Sequence, residues 1–169
     1  MMGFLTAIRR RMLADLDSRI APQFHEIFDI DPITIYDIGA AGGAITPYPD
    51  GAAAWAPVIG FEPHPESYRQ LLAAPPHEHV SLHNLALANR DGPITFYAGK
   101  GKQRTKSSLR PIDYTGSKSE KITIDAVTLD SAPEQLGIQP ANFIKLDTEG
   151  TEDMVLRGGQ RMLERRVGL

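Results

Sequence analysis

The chain has 169 residues, enough for one domain with a hydrophobic core, and its 41% apolar and 23% charged content is ordinary for a globular protein. A formal net charge of -3 excludes a global basic footprint for nucleic acid, and the absence of cysteine excludes disulfides and thiolate metal sites. No apolar stretch approaches the roughly 20 residues of a membrane span, and the composition fits a cytoplasmic protein.

Leu5, Ile8, Leu13, Leu16 and Ile20 recur at helical spacing, so an amphipathic helix is expected over residues 4–20, within an N-terminal helical segment spanning 1–33. This start fails as a signal peptide, because Arg9, Arg10 and Arg11 follow a very short apolar run. Asp31-Pro32 breaks the region, and residues 34–169 read as the main domain. That domain opens with a β-branched and aromatic strand, Thr34 to Asp37. A glycine loop follows at Gly39, Gly42 and Gly43. Next comes a proline-interrupted stretch, Pro47 to Pro57, in which Ala52 to Trp55 suggest a short helix.

Val58 to Phe61 is the second predicted strand. Pro65 then opens a helix with Tyr68, Leu71 and Leu72 on its inner face, ended by Pro75 and Pro76. Val80 to Leu87 reads as one strand and Asp91-Gly92 as a turn. Ile94 to Tyr97 and Lys121 to Val127 read as strands around a flexible loop, Ala98 to Glu120, rich in Gly, Lys and Ser. Phe143 to Leu146 is the next strand. Thr151 is expected to cap a helix with Glu152 and Asp153 in its first turn and Met154, Val155 and Leu156 on its apolar side. This alternation of strand and helix predicts an α/β fold with a doubly wound sheet.

Three of the strands end in an acid: Asp37, Glu62 and Asp147. Buried parallel strands read as continuous apolar runs, and ligands in open α/β sheets bind beyond their carboxyl ends. The three strands are therefore expected to be parallel neighbours, the first in the middle, with one polar site on one rim. Such acids also serve as helix caps, which is the plainer role for any one of them.

Gly39 removes a side chain where the chain turns sharply and a ligand approaches. The dinucleotide fingerprint is absent, because Ala41 and Ala44 stand where its second and third glycines belong, and no phosphate-loop lysine follows. Glu62 lies about as far beyond the glycine loop as the ribose-binding acid of nucleotide-binding α/β units. A carboxylate there accepts both ribose hydroxyls. Asp37 is placed to hold a ligand ammonium directly or through water. A ligand with a ribose, a cationic amino-acid tail and no pyrophosphate fits, and S-adenosyl-L-methionine (SAM) is such a ligand.

Tyr36-Asp37-Ile38-Gly39-Ala40, Gly60-Phe61-Glu62-Pro63, Asn84-Leu85-Ala86-Leu87, Ile144-Lys145-Leu146-Asp147-Thr148-Glu149-Gly150 and Val155-Leu156-Arg157-Gly158 together resemble the FkbM-type SAM-dependent methyltransferases. The resemblance implies the Rossmann-like sheet of class I methyltransferases, SAM as cofactor, and O-methylation of hydroxyls on sugars, glycans or natural products. It places Asp37, Gly39 and Ala40 in the cofactor loop, Glu62 with Pro63 at the ribose, and Asn84 and Ala86 near the adenine. Two departures stand out. Ala41 replaces a frequent asparagine, and the strands that follow the Asp147 helix in the family are missing, so the domain is expected to be incomplete at its C-terminus. The alternatives are a SAM-binding module without activity and, from another class, an NAD-dependent oxidoreductase.

Asp147, Glu149 and Lys145 are the candidate catalytic residues. A hydroxyl attacking a methyl sulfonium loses its proton, and a nearby carboxylate accepts it. Asp147 is the first choice. Glu149 has an equal claim as a cap for the next helix, and Lys145, inside an apolar strand, reads chiefly as a structural ion pair. His77 and His79 lack a third metal ligand, so no metal is expected. Lys100, Lys102, Arg104, Lys106 and Arg110 form a basic run that reads mainly as a solvated loop, with an anionic sugar as its other use. The expected partner is a small-molecule or glycan hydroxyl substrate, with no nucleic acid, and the exposed sheet edge is expected to pair in a homodimer, to leave an open cleft beside it, or to make the domain marginally stable.

Overall fold

The computed structural model describes residues 34–40, 57–73, 79–111 and 119–166. The expected N-terminal helix, the glycines at 42 and 43, the short helix at 52–55, His77 and the Pro75-Pro76 stop lie outside them.

Four short apolar runs form a parallel sheet in the order β3-β2-β1-β7: β1 is Ile35–Ile38, β2 Val58–Phe61, β3 Val80–His83 and β7 Phe143–Leu146. Every residue of β1 and β2 is buried, as their unbroken apolar pattern requires of central parallel strands. The first strand lies between the two others that end in acids, as expected. The order grows outward from β1 to β3, then returns to the other side of β1 with β7. That reversal creates a crevice at the carboxyl ends of β1 and β7, the place where open α/β sheets bind ligands.

The segment expected as one strand, Val80 to Leu87, is two. Asn84 Nδ2 donates to the carbonyls of Glu62 at 2.8 Å and Pro63 at 3.3 Å, and the chain bends there. Ala86–Leu87 becomes β4 of a second, three-stranded sheet ordered β4-β6-β5. In it β5, Gly92–Ala98, runs antiparallel to β6, Glu120–Val127, while β4 runs parallel to β6. The α/β class holds, but the sheet is divided rather than single. The partial alternation of buried and solvent-reached residues in β5 and β6 is that of a ribbon with one wet face.

Helix α1, Pro65–Leu72, is capped by His64, whose Nδ1 accepts from the N–H groups of Glu66 and Ser67. Its inward residue is Ser67, and Leu72, expected inside, is 55% exposed. Helix α2, Ala132–Leu136, carries Pro133 in its first turn and ends on Gly137 in the left-handed conformation. The last helical stretch is broken into α3, Glu152–Arg157, and α4, Gln160–Arg166. A Cβ at Gly158 would stand 2.1 Å from the carbonyl oxygen of Ala88, so only glycine permits this approach to the second sheet. Asp130 caps α4 from outside, accepting from the N–H groups of Arg161 at 3.1 Å and Met162 at 2.8 Å.

The larger core joins Tyr36, Ile38 and Phe61 of the parallel sheet to Leu129, Val155 and Met162. The Tyr36 ring meets Phe61 edge-on at 5.1 Å, and its hydroxyl donates to the Gln139 carbonyl at 2.7 Å. A smaller core under the second sheet is built on Phe96, Ile124 and four alanines.

Candidate functional site

Gly39 leaves β1 with φ 81°, and its N–H donates to the Phe61 carbonyl at 3.0 Å. The following N–H, of Ala40, reaches the same oxygen at 3.2 Å. A Cβ at Gly39 would lie 2.0 Å from the carbonyl oxygen of Asp147, so the ends of β1 and β7 touch backbone to backbone. Beside this junction lies a cleft open to solvent. Gly39, Glu62, Pro63, Ala86, Asp147 and Glu149 all line it. Six of the ten predicted site residues thus meet in one place, although they come from four separate parts of the chain.

Glu62 is 2% exposed, and its Oε1 accepts from the His64 N–H at 2.7 Å. Leu85, Ala86, Leu87 and Phe96 make an apolar wall. Asp147 presents a side chain 70% exposed at the cleft.

The other four predicted residues do not line the cleft. Ala40 is buried next to Gly39. Asn84 holds the end of β2 through the two carbonyl contacts given above. Asp37 is fully buried, and Lys145, its register partner across β1 and β7, sets its Nζ 3.1 Å from Asp37 Oδ1. Neither carboxylate oxygen takes a well-aligned hydrogen bond, so the contact is an ion pair. Burial pushes the Asp37 carboxyl above the ordinary range, and the Lys145 ammonium opposes that rise. The same ammonium donates to the Gly39 carbonyl at 3.2 Å and stands 3.8 Å from Asp147 Oδ2. Lys145 therefore acts as the structural ion pair expected of it and also touches the loop and the acid at the cleft.

Glu149 does not cap α3, and the Thr151 hydroxyl donates back to the Thr148 carbonyl instead of capping. Glu152, the first residue of α3, instead ties down the turn before the helix: its Oε1 accepts from the Thr148 N–H at 3.0 Å, the Thr148 hydroxyl at 3.1 Å and the Gly150 N–H at 3.2 Å. Burial raises the Glu152 carboxyl, but these bonds together outweigh it and hold the group below its ordinary range.

The basic loop is not simply solvated. It contains a 3-10 turn, Gly101–Lys106, and Arg104, Ser107 and Ser108 reach the cleft. Arg104 pairs with Glu66 on α1, Lys100 with Glu120 at 3.0 Å, and Arg110 with both Asp153 oxygens on α3 at 2.8 Å. His64 Nε2 adds a contact of 3.1 Å to the Gly99 carbonyl. The described part of the loop, residues 99–111, is thus a strap tied down at several points. His64 and Ser108 went unassigned from sequence, whereas Arg110 was read as part of the basic run and Glu152 as a first-turn acid. No group of metal-ligating side chains occurs among the described residues, and no helix among them is long and apolar enough to cross a membrane.

No curated protein matches the chain. A solved structure similar to it is a methyltransferase FkbM from Methylobacillus flagellatus KT, at 15% identity and a TM-score of 0.49. The match covers 79% of this chain and 30% of that one, so the chain spans less than a third of that protein's length. A family model described as the methyltransferase FkbM domain matches residues 37–168, from the middle of β1 past the end of α4. The chain belongs to the FkbM methyltransferase domain family.

Proposed function

We propose that this domain binds SAM in the cleft at the ends of β1, β2 and β7 and transfers its methyl group to a hydroxyl of a sugar, glycan or natural product. The observation that carries the reading is Glu62, a buried carboxylate at the end of β2 beside an apolar wall. A carboxylate accepts hydrogen bonds from a vicinal diol, and apolar side chains suit the faces of a purine. That donor set fits an adenosyl group. Gly39, Glu62, Pro63 and Ala86 would hold it, with Asn84 fixing the turn that carries Glu62.

The bound cofactor supplies an activated methyl group. Asp147 supplies a solvent-reached carboxylate at the cleft, suited to take the proton of the acceptor hydroxyl. Lys145 stands 3.8 Å from that carboxylate and steadies the Gly39 turn through its carbonyl. Glu149 offers a second acceptor for orienting hydroxyls.

Calorimetry with SAM, its demethylated product S-adenosylhomocysteine and NAD tests the binding half. Saturable binding of the first two is expected, with Glu62→Ala losing about 1.5–3 kcal/mol per charge-assisted hydrogen bond. Binding of NAD alone overturns the reading. Asp147→Asn should abolish transfer from radiolabelled SAM while leaving product affinity unchanged.

A further inference from the structure

Glu149 has φ 52°, and it is the non-glycine residue with positive φ among those described. The left-handed conformation is disfavoured for any residue with a Cβ, and glutamate lacks the short polar side chain that lets asparagine or aspartate adopt it. Gly150 follows with φ 87°, so glycine at both positions would build the same turn without strain. Glu149 is exposed and lines the cleft.

The strain is held from 41 residues away. Ser108, 1% exposed, donates its hydroxyl to the Glu149 carbonyl at 2.9 Å and accepts from the Arg110 N–H at 3.2 Å. Arg110 donates to the Gly150 carbonyl at 2.9 Å and continues to the Asp153 carboxylate. Both carbonyls of the strained turn are thus bonded by the strap between β5 and β6. Backbone strain that persists beside a ligand cleft, over-determined by buried contacts, marks a group held ready for function.

We infer that Ser108, supported by Arg110, is a positioning residue that keeps Glu149 in its left-handed conformation, so that the Glu149 carboxylate stands at the cleft for the methyl acceptor. The acceptor rests on the methyl-transfer reading above; the conformational lock does not.

The test uses the 169-residue chain with Ser108→Ala, Arg110→Gln, Glu149→Gly and the Ser108→Ala/Glu149→Asp pair. Three quantities are read: the HN–Hα coupling of residue 149 by NMR, S-adenosylhomocysteine affinity, and methyl transfer from tritiated SAM to glycerol and methyl α-D-glucopyranoside. Ser108→Ala should move the coupling away from its left-handed value. It should also lower acceptor kcat/KM about 5- to 30-fold, the population factor of a left-handed penalty no longer held, with product affinity unchanged. Adding Glu149→Asp should restore part of both, because aspartate enters this conformation more readily and keeps the carboxylate. Glu149→Gly should keep or raise Tm while losing transfer. An unmoved coupling in Ser108→Ala, no restoration by aspartate, or a lowered Tm in Glu149→Gly overturns the inference. If Ser108→Ala does not fold, the coupling in Arg110→Gln and the Tm of Glu149→Gly decide in its place. If the wild-type chain binds SAM but methylates neither probe, the acceptor class fails, and the couplings still decide the lock.

Discussion

At position 39 a methyl group would meet the Asp147 carbonyl oxygen at 2.0 Å, in a backbone conformation, φ 81°, that alanine rarely adopts. Gly39→Ala should therefore destabilise the domain by more than about 1 kcal/mol and weaken S-adenosylhomocysteine binding, as urea unfolding and calorimetry would show. Both effects have one cause, the separation of β1 from β7 where they form the cleft. Glu152 gives a second prediction. Its folded-state carboxyl lies below the ordinary 4.5, so its stabilisation is fully present above that value and is lost as pH falls through the lower folded value. Glu152→Ala should cost about 1.5 kcal/mol at neutral pH, typical of lost hydrogen bonds to a charged group, and close to nothing at strongly acid pH. The glycine was legible in the sequence because a turn after an apolar strand needs it. The role of Glu152 was not, because an acid in a first helical turn reads as a partner for the helix dipole, and only the fold of residues 148–150 turns their N–H groups towards it.

Among the elements, β7 carries the most consequence for its length. Lys145 lies opposite Asp37 in the parallel register, so each strand brings one half of a largely enclosed ion pair. Lys145→Met should leave Asp37 buried without its cation and raise its carboxyl further above the ordinary 3.8. The cost at neutral pH should be about 3 kcal/mol, the lower end for a broken buried pair, since the Lys145 side chain is 24% exposed. A buried acid with a raised folded value is stabilised by protonation, so the deficit should shrink as pH falls towards 4. Denaturant unfolding at two pH values checks both the size and the direction. Two elements show the limits of pattern reading. Helix α2 had its signals, Pro133 near the start and Gly137 at the end, but five residues are too few for a helical period to stand out. The division of residues 80–87 was hidden, because Asn84 inside an apolar run becomes a bend only when β2 presents two carbonyls to it.

For the molecule as a whole, β1 and β2 are paired on both sides and buried throughout, whereas β7 is half-buried and at a sheet edge among the described residues. Native-state hydrogen exchange should accordingly find the slowest amides in β1 and β2 and faster ones in β7. Slowest exchange in β5 and β6 would instead make the second sheet the stable unit. The sequence by itself determined most of the strands, their apolar cores, their terminal acids and the family, because burial, chain reversal and helix entry each demand particular residues within a few positions. The tertiary structure alone decided which acids share the cleft, that Asp37 faces Lys145 rather than the opening, and that the basic strap is tied down by Glu66 and Asp153. Those outcomes depend on contacts between residues tens of positions apart, and such contacts exist only once parallel register and strand order have brought distant segments together.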